Sequence, residues 1–152
     1  MLKNEIMERI GLLLGSFDPP HIGHLWAAYY ALNNKLVDDV WIVPAWTNPW
    51  KEGQSSFEHR LNMCKAFFND DIDHIHIMSM DGVYKSHYTY EGLAKLLKNT
   101  AHFTNREYYI IGGTDVANEI PKWKNGEWIL ENFKTIAVPR SGYENTSLGI
   151  EC

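Results

Sequence analysis

The eleven residues GSFDPPHIGHL, positions 15–25, place Phe17, Asp18, two prolines and two imidazoles, His21 and His24, directly after the apolar run RIGLLL. Side chains three residues apart share one side of a helical first turn, so these two rings can address one ligand. Three kinds of chemistry use such a pair. The histidines can cap the helix and pack. With Asp18 they can form the acid-plus-imidazole set that Zn²⁺ or Fe²⁺ accepts. Or they can donate to phosphate, because a helix N-terminus presents free N–H groups and about half a positive charge. Gly23 puts no side chain between the rings, Gly15 frees the backbone where the apolar run ends, and Pro19 and Pro20 stiffen the entry to a helix.

The elements that must position this segment follow from the apolar pattern. RIGLLLG is a continuous run ended by glycine, as expected of a central parallel strand covered on both faces. From Ile22 to about Asn34 the spacing of Leu25, Ala28, Tyr29 and Leu32 predicts a helix with those residues inward, and Asn33-Asn34 as its stop. DDVWIVPA reads as a second buried strand closed by Pro44 and followed by the turn-rich loop WTNPWKEGQ. A helix is expected from Ser56 or Phe57 to Phe68 with Ser56 as a possible N-cap, then a strand in HIHIMSM and a helix in TYEGLAKLLKN. EYYIIGG is another strand ended by glycine, DVANEI and GEWILENF are short helices, and KTIAVPR is a final strand. Strands alternating with helices point to an α/β, Rossmann-like, doubly wound parallel sheet of about five strands with helices on both faces, binding ligands beyond the strands' carboxyl ends. GSFDPPHIGH, VPAWTNPWK and IIGGTD all follow strands, and that shared edge is the expected site.

The totals narrow the partners. The 152 residues, 45% hydrophobic, suffice for a single domain with a real core. Cys64 and Cys152 form no ligand-like spacing, which fits a reduced, cytoplasmic protein without a disulfide framework or structural zinc. No apolar stretch approaches the roughly 20 residues needed to span a bilayer, and MLKNEIMER lacks the apolar region of a secretory signal. A formal charge of −5 offers no general attraction for nucleic acid. Phosphate, if bound, must be small and locally gripped.

GSFDPPHIGHL resembles the GxFDPxHxGH signature of the nucleotidyltransferase superfamily, and in particular the nicotinate mononucleotide adenylyltransferases, in the strand-to-helix context that signature requires. Further segments match in order. VPAWTNPWK resembles the family's loop after the second strand, with Lys51 as its basic residue. FEHRLNM resembles its R-L-x-M helix, giving Arg60. HYTYEGL is similar to its Y-T-x-x-T-L segment, giving Tyr88 and Thr89, with Gly92 in place of threonine. IIGGTDVANEIPKW is similar to I-G-x-D followed by tryptophan, giving Gly112, Asp115 and Trp123, and VPRSG to the R-x-G after the fifth strand, giving Arg140.

The resemblance implies an enzyme that joins ATP to nicotinate mononucleotide, releasing pyrophosphate, by in-line attack of the mononucleotide phosphate on the α-phosphate. It makes His21, His24 and Lys51 the catalytic set. Gly15, Ser16, Phe17, Asp18, Gly23, Gly112 and Asp115 surround the nucleotide, and Tyr88, Thr89, Trp123, Arg60 and Arg140 the second substrate, with Trp123 stacking on the pyridine ring. Mg²⁺ would be held by the phosphates of ATP rather than by a protein cage, and adjacent phosphate would favour the charged form of the histidines. His21 sets the chain apart from relatives acting on pantetheine phosphate, where threonine usually stands. Lys124 adds a positive charge after Trp123, and the choice between nicotinate and nicotinamide mononucleotide stays open. Family members usually continue to an I-S-S-T-x-x-R motif, whereas this sequence ends in SGYENTSLGIEC. The expectation is therefore one nucleotidyltransferase domain over residues 1–152 without that segment; the alternatives are a weakly active nucleotide-binding module and a cytidylyltransferase.

Overall fold

A computed structural model describes residues 7–46, 53–80, 85 and 88–139. Strand β1, Glu8–Gly15, leads through α1, Ile22–Asn33, to β2, Asp39–Pro44. Helix α2, Phe57–Phe68, precedes β3, Ile75–Ile77. Helix α3, Thr89–Asn99, then connects to β4, Arg106–Gly113. The short helix α4, Thr114–Glu119, runs into a 3-10 turn, Ile120–Lys122, before α5, Gly126–Asn132, and β5, Lys134–Val138.

The five strands form one parallel sheet in the order β3-β2-β1-β4-β5. The expected doubly wound architecture is the one observed. Strand order reverses beside β1, which lies between β2 and β4, and this is the switch point where such sheets open a crevice. Both faces of the sheet are covered, which is why β1 reads as an unbroken apolar run. Leu13 and Val40 face one cluster with α1 and α2, while Ile10, Leu12 and Ile110 face the other with α3 and α5.

Two local expectations change. Of the residues expected inward on α1, Ala28 is buried, joined by Ala27 and Ala31, whereas Leu25, Tyr29 and Leu32 are only half-buried. The helix lies against β1, β2, β4 and β5, and such a close approach leaves room for methyl groups rather than leucines. Strand β3 covers only Ile75–Ile77 of HIHIMSM. It is an edge strand pairing Ile75–Ile77 with Val40–Ile42, and the Asp70 carboxylate takes the Ile77 N–H at 2.8 Å where the ladder ends. No helix among the described residues is long and apolar enough to cross a membrane.

Candidate active site

The register aligns Gly15 of β1 with Pro44 of β2 and Leu13 with Ile111 of β4, so the three chemically loaded connections start from one edge of the sheet. Immediately beyond β1 the chain is bent tightly. Phe17 takes a left-handed backbone, φ 53°, and the Asp18–Pro19 peptide is cis. The turn buries the Phe17 ring against Phe68 and against the His24 imidazole, 4.5 Å between ring centroids. Phe17 thus supports a histidine from below instead of facing solvent.

His21 is the N-cap of α1. Its Nδ1 accepts the Gly23 N–H at 3.1 Å, and the His24 Nδ1 accepts the His21 N–H at 3.0 Å, a reciprocal capping box made by two imidazoles. The rings stack with centroids 3.8 Å apart. Because a backbone N–H can only donate, both Nδ1 atoms are unprotonated acceptors, and each neutral ring carries its proton on Nε2. Burial, and secondarily the neighbouring His21, push His24 down to about 4, so this ring is neutral at pH 7 in the free protein. The expected charged form would need a proton on Nδ1 in place of the cap, so in this arrangement the ring offers phosphate a neutral Nε2–H donor. Gly23 has a different reason from the open space expected of it: a Cβ there would lie 2.9 Å from Cε1 of His21 and displace the ring.

Asp18 is committed elsewhere, its Oδ2 accepting the Ser55 N–H at 2.8 Å, and no set of three His, Cys, Asp or Glu side chains converges for a metal among the described residues. With Asp18 so engaged and both Nδ1 atoms occupied, the residues fit phosphate donation and do not fit a protein-held metal.

Arg60 has another role than the substrate binding expected of it. It is 1% exposed, and its guanidinium donates to the carbonyls of Ser55 at 2.9 Å, Ser16 at 2.9 Å, Ala45 at 2.7 Å and Trp46 at 2.8 Å. Burial lowers its pKa from the ordinary arginine value. The side chain ties the turn after β1 to the loop after β2 and to the start of α2, reinforced by the Ala45 N–H on the Gly15 carbonyl at 2.8 Å. Ser16 and Gly15 therefore meet this tie through their backbones. Ser55 completes it, although a serine beside a helix N-cap carries no distinguishing sequence signal.

The residues expected around the second substrate lie on α3 and in the turn after α4. Tyr88 is the N-cap residue of α3, and Thr89 is its first residue. Trp123 is half-buried against the cluster that holds Leu93, Ile120 and Ile129. Its N–H donates to the Ile120 carbonyl at 3.0 Å, and its own carbonyl accepts the Gly126 N–H at 2.9 Å. Gly126 is required there, since a Cβ would stand 3.0 Å from the Pro121 carbonyl oxygen and nearer still to that of Ile120. Lys124, next in the turn, holds its Nζ 4.6 Å from the centroid of the Tyr88 ring, joining the two segments. Gly112 is buried where a Cβ would meet Val116 at 2.8 Å, so it lets α4 close onto β4, and Asp115 is exposed in the first turn of α4. Trp26 of α1 donates its indole N–H to the Pro139 carbonyl at 2.8 Å, fixing the end of β5 beside α1. Lys51 and Arg140 lie outside the described residues.

The cytidylyltransferase-like family model matches residues 12–150. A probable nicotinate-nucleotide adenylyltransferase of Myxococcus xanthus is 33% identical over 89% of this chain and 70% of its own length. One from Oceanobacillus iheyensis is 35% identical over 90% and 71%. Among solved structures, a putative nicotinate-nucleotide adenylyltransferase from Vibrio parahaemolyticus superposes with a TM-score of 0.69 at 20% identity over 88% of this chain and 74% of that one. The Plasmodium falciparum nicotinic acid mononucleotide adenylyltransferase complexed with NaAD gives 0.69 at 21% identity over 90% and 77%; at these identities the structural likeness concerns the fold. A family match over most of the chain, together with relatives above 30% identity along nine-tenths of it, places this chain in the cytidylyltransferase-like family, alongside the nicotinate-nucleotide adenylyltransferases.

Proposed function

We propose that the protein transfers the adenylyl group of ATP to nicotinate mononucleotide, forming the deamido dinucleotide and pyrophosphate. The observation that carries this reading is the histidine capping box: two stacked rings at a helix N-terminus, each committed through Nδ1 and so left with an Nε2–H donor. A mononucleotide phosphate oxygen, already anionic at neutral pH, attacks the α-phosphorus. The new P–O bond forms as the bond to the bridging oxygen of the β-phosphate breaks, and pyrophosphate departs with that electron pair. No side-chain nucleophile is needed. The chain's task is alignment and neutralisation of charge on the α-phosphate and the leaving group.

His21 and His24 donate to the phosphates of ATP, with the α1 N-terminus adding its dipole. Lys51 joins them in this reading, and Gly15, Ser16, Gly23, Gly112 and Asp115 form the nucleotide's surroundings, Phe17 and Asp18 acting by holding the turn. Trp123 stacks on the pyridine ring, Tyr88 and Thr89 flank it, and Arg140 contributes charge. Mg²⁺ enters with ATP as part of the substrate, carried by phosphate oxygens. A buried free thiol at Cys64 accords with a reducing, cytoplasmic setting.

Incubation with ATP, Mg²⁺ and nicotinate mononucleotide, followed by chromatography, is expected to yield the dinucleotide and pyrophosphate. Absence of product with either pyridine mononucleotide overturns the reading. The family description keeps a second reading in view, cytidylyl transfer, which predicts that CTP outcompetes ATP.

A further inference from the structure

We infer that Trp26 is a positioning residue for adenylyl transfer: its indole N–H, bound to the Pro139 carbonyl, sets where the His21 and His24 rings stand beyond the edge of the sheet. The inference rests on the proposed reaction, in which those two rings donate to phosphate, and gives a tryptophan outside the pair the task of aiming them.

The face that α1 turns to the sheet consists of Ala27, Ala28 and Ala31, packed in one cluster with Ile136 and Val138 of β5. Methyl groups form shallow ridges, so such a face brings the helix close but holds its place along the sheet only weakly. Directional contacts have to supply that place. At the far end of α1 the Tyr29 hydroxyl donates to Asp73 at 3.1 Å, and the Arg9 guanidinium donates to the Lys35 carbonyl at 2.9 Å. Near the histidines, His24 meets the Phe17 ring of the turn after β1, 4.5 Å between centroids, and Trp26 donates to the Pro139 carbonyl at 2.8 Å. Residues two apart on a helix point about 200° apart, so these two contacts grip opposite sides of α1.

The anchor on the sheet side is well defined. Pro139 directly follows Val138, which is buried and pairs with Gly113 in the ladder between β4 and β5. Trp26 is 45% exposed, with its ring against Tyr30 at 5.7 Å between centroids, so its distinctive contribution is the directional bond more than apolar burial. Without that bond the first turns of α1 rest on alanine packing and on the contact between Phe17 and His24. Both imidazoles then move with the helix, because the cap that joins them lies within it. Donors aimed at a transition state work within a narrow geometry, and a displacement of about 1 Å costs about 10²-fold in rate; the smaller shift from one lost bond is expected to cost roughly tenfold.

The test compares wild type, Trp26→Phe, His24→Ala and the double variant in steady-state transfer from ATP to nicotinate mononucleotide, with urea unfolding alongside. Trp26→Phe keeps an aromatic ring beside Tyr30 and removes the N–H. The expected result is a roughly tenfold fall in kcat, a KM for ATP changed by less than about twofold, and no further fall in kcat when Trp26→Phe is added to His24→Ala. A merely structural tryptophan would instead lower the fraction folded and leave kcat per folded molecule intact. Proton NMR gives a readout that needs no turnover: the His24 ring protons, shifted by the Phe17 ring, are expected to change in Trp26→Phe as the helix moves relative to the turn after β1. An unchanged kcat, the same tenfold loss in the His24→Ala background, or unchanged His24 ring shifts each overturn the inference. Failure of wild type to form dinucleotide counts against adenylyl transfer, while the His24 shifts still decide whether Trp26 positions the pair.

Discussion

His24 performs two tasks with two nitrogens. Its Nδ1 accepts the His21 N–H and completes the cap, and in the proposed reaction its Nε2–H donates to phosphate. Substitutions can separate them. His24→Asn retains an acceptor oxygen near the Nδ1 position, while His24→Ala retains neither function. Both variants are expected to lose about 10²–10³ in kcat, the usual effect of removing one donor from a charge-stabilising site. Only His24→Ala is expected to lose about 1 kcal/mol of stability as well, the ordinary cost of a missing N-cap interaction. Steady-state kinetics and urea unfolding measure the two losses separately, and equal destabilisation in both variants contradicts the division. The pH dependence follows from the same ring. Its folded-state value of about 4 lies below the ordinary 6.5, so between these values the unfolded chain binds more protons. Stability of the free protein is expected to fall as pH drops through that window, and His24→Asn to remove this part of the slope.

At the level of elements, the site depends on a tie beneath it. Arg60 satisfies carbonyls from the turn after β1, the loop after β2 and the start of α2, and so ties the three segments together. Arg60→Met preserves the volume of the stem and leaves these buried acceptors without their donors. Unsatisfied buried acceptors cost about 1–3 kcal/mol each, partly relieved by entering water, so a destabilisation of about 3 kcal/mol or more is expected in urea unfolding. Because Arg60 supports the site from below, the residual enzyme is expected to lose turnover without altering its preference between pyridine mononucleotides. A folded Arg60→Met protein of wild-type stability that loses only mononucleotide affinity restores the substrate-binding role. Gly23 illustrates the same dependence from the other side: its missing Cβ is what allows the His21 ring to lie over the first turn of α1.

Across the whole molecule, two histidines, one beyond the central strand and one on the edge strand, respond oppositely to protons. At the edge strand β3, His76 Nδ1 lies 2.7 Å from Asp71 and Nε2 3.6 Å from Asp39. Burial lowers its pKa, but the hydrogen bond to Asp71 and the charge of Asp39 outweigh burial and leave it raised above 6.5. Its contribution is fully present below the unfolded value and is lost as pH rises through the raised folded value, the reverse of His24. His76→Gln is expected to flatten the alkaline side of the stability profile, measured by urea unfolding at successive pH values, and to leave the acidic slope of His24 in place. The sequence by itself determined the alternation of elements, the strand-to-helix position of the histidine pair and the N-cap of α2 at Ser56, because apolar runs, glycine and proline stops and capping residues act over a few positions. It also carried the segments that mark the family. Only the tertiary structure decided that α1 turns alanines to the sheet, that Arg60 is buried under the loops, that Asp18 serves Ser55, and that Lys124 meets Tyr88. Each of these depends on which distant segments pack together, and a charged or small residue looks the same in sequence whether its neighbours are water or carbonyls from another turn.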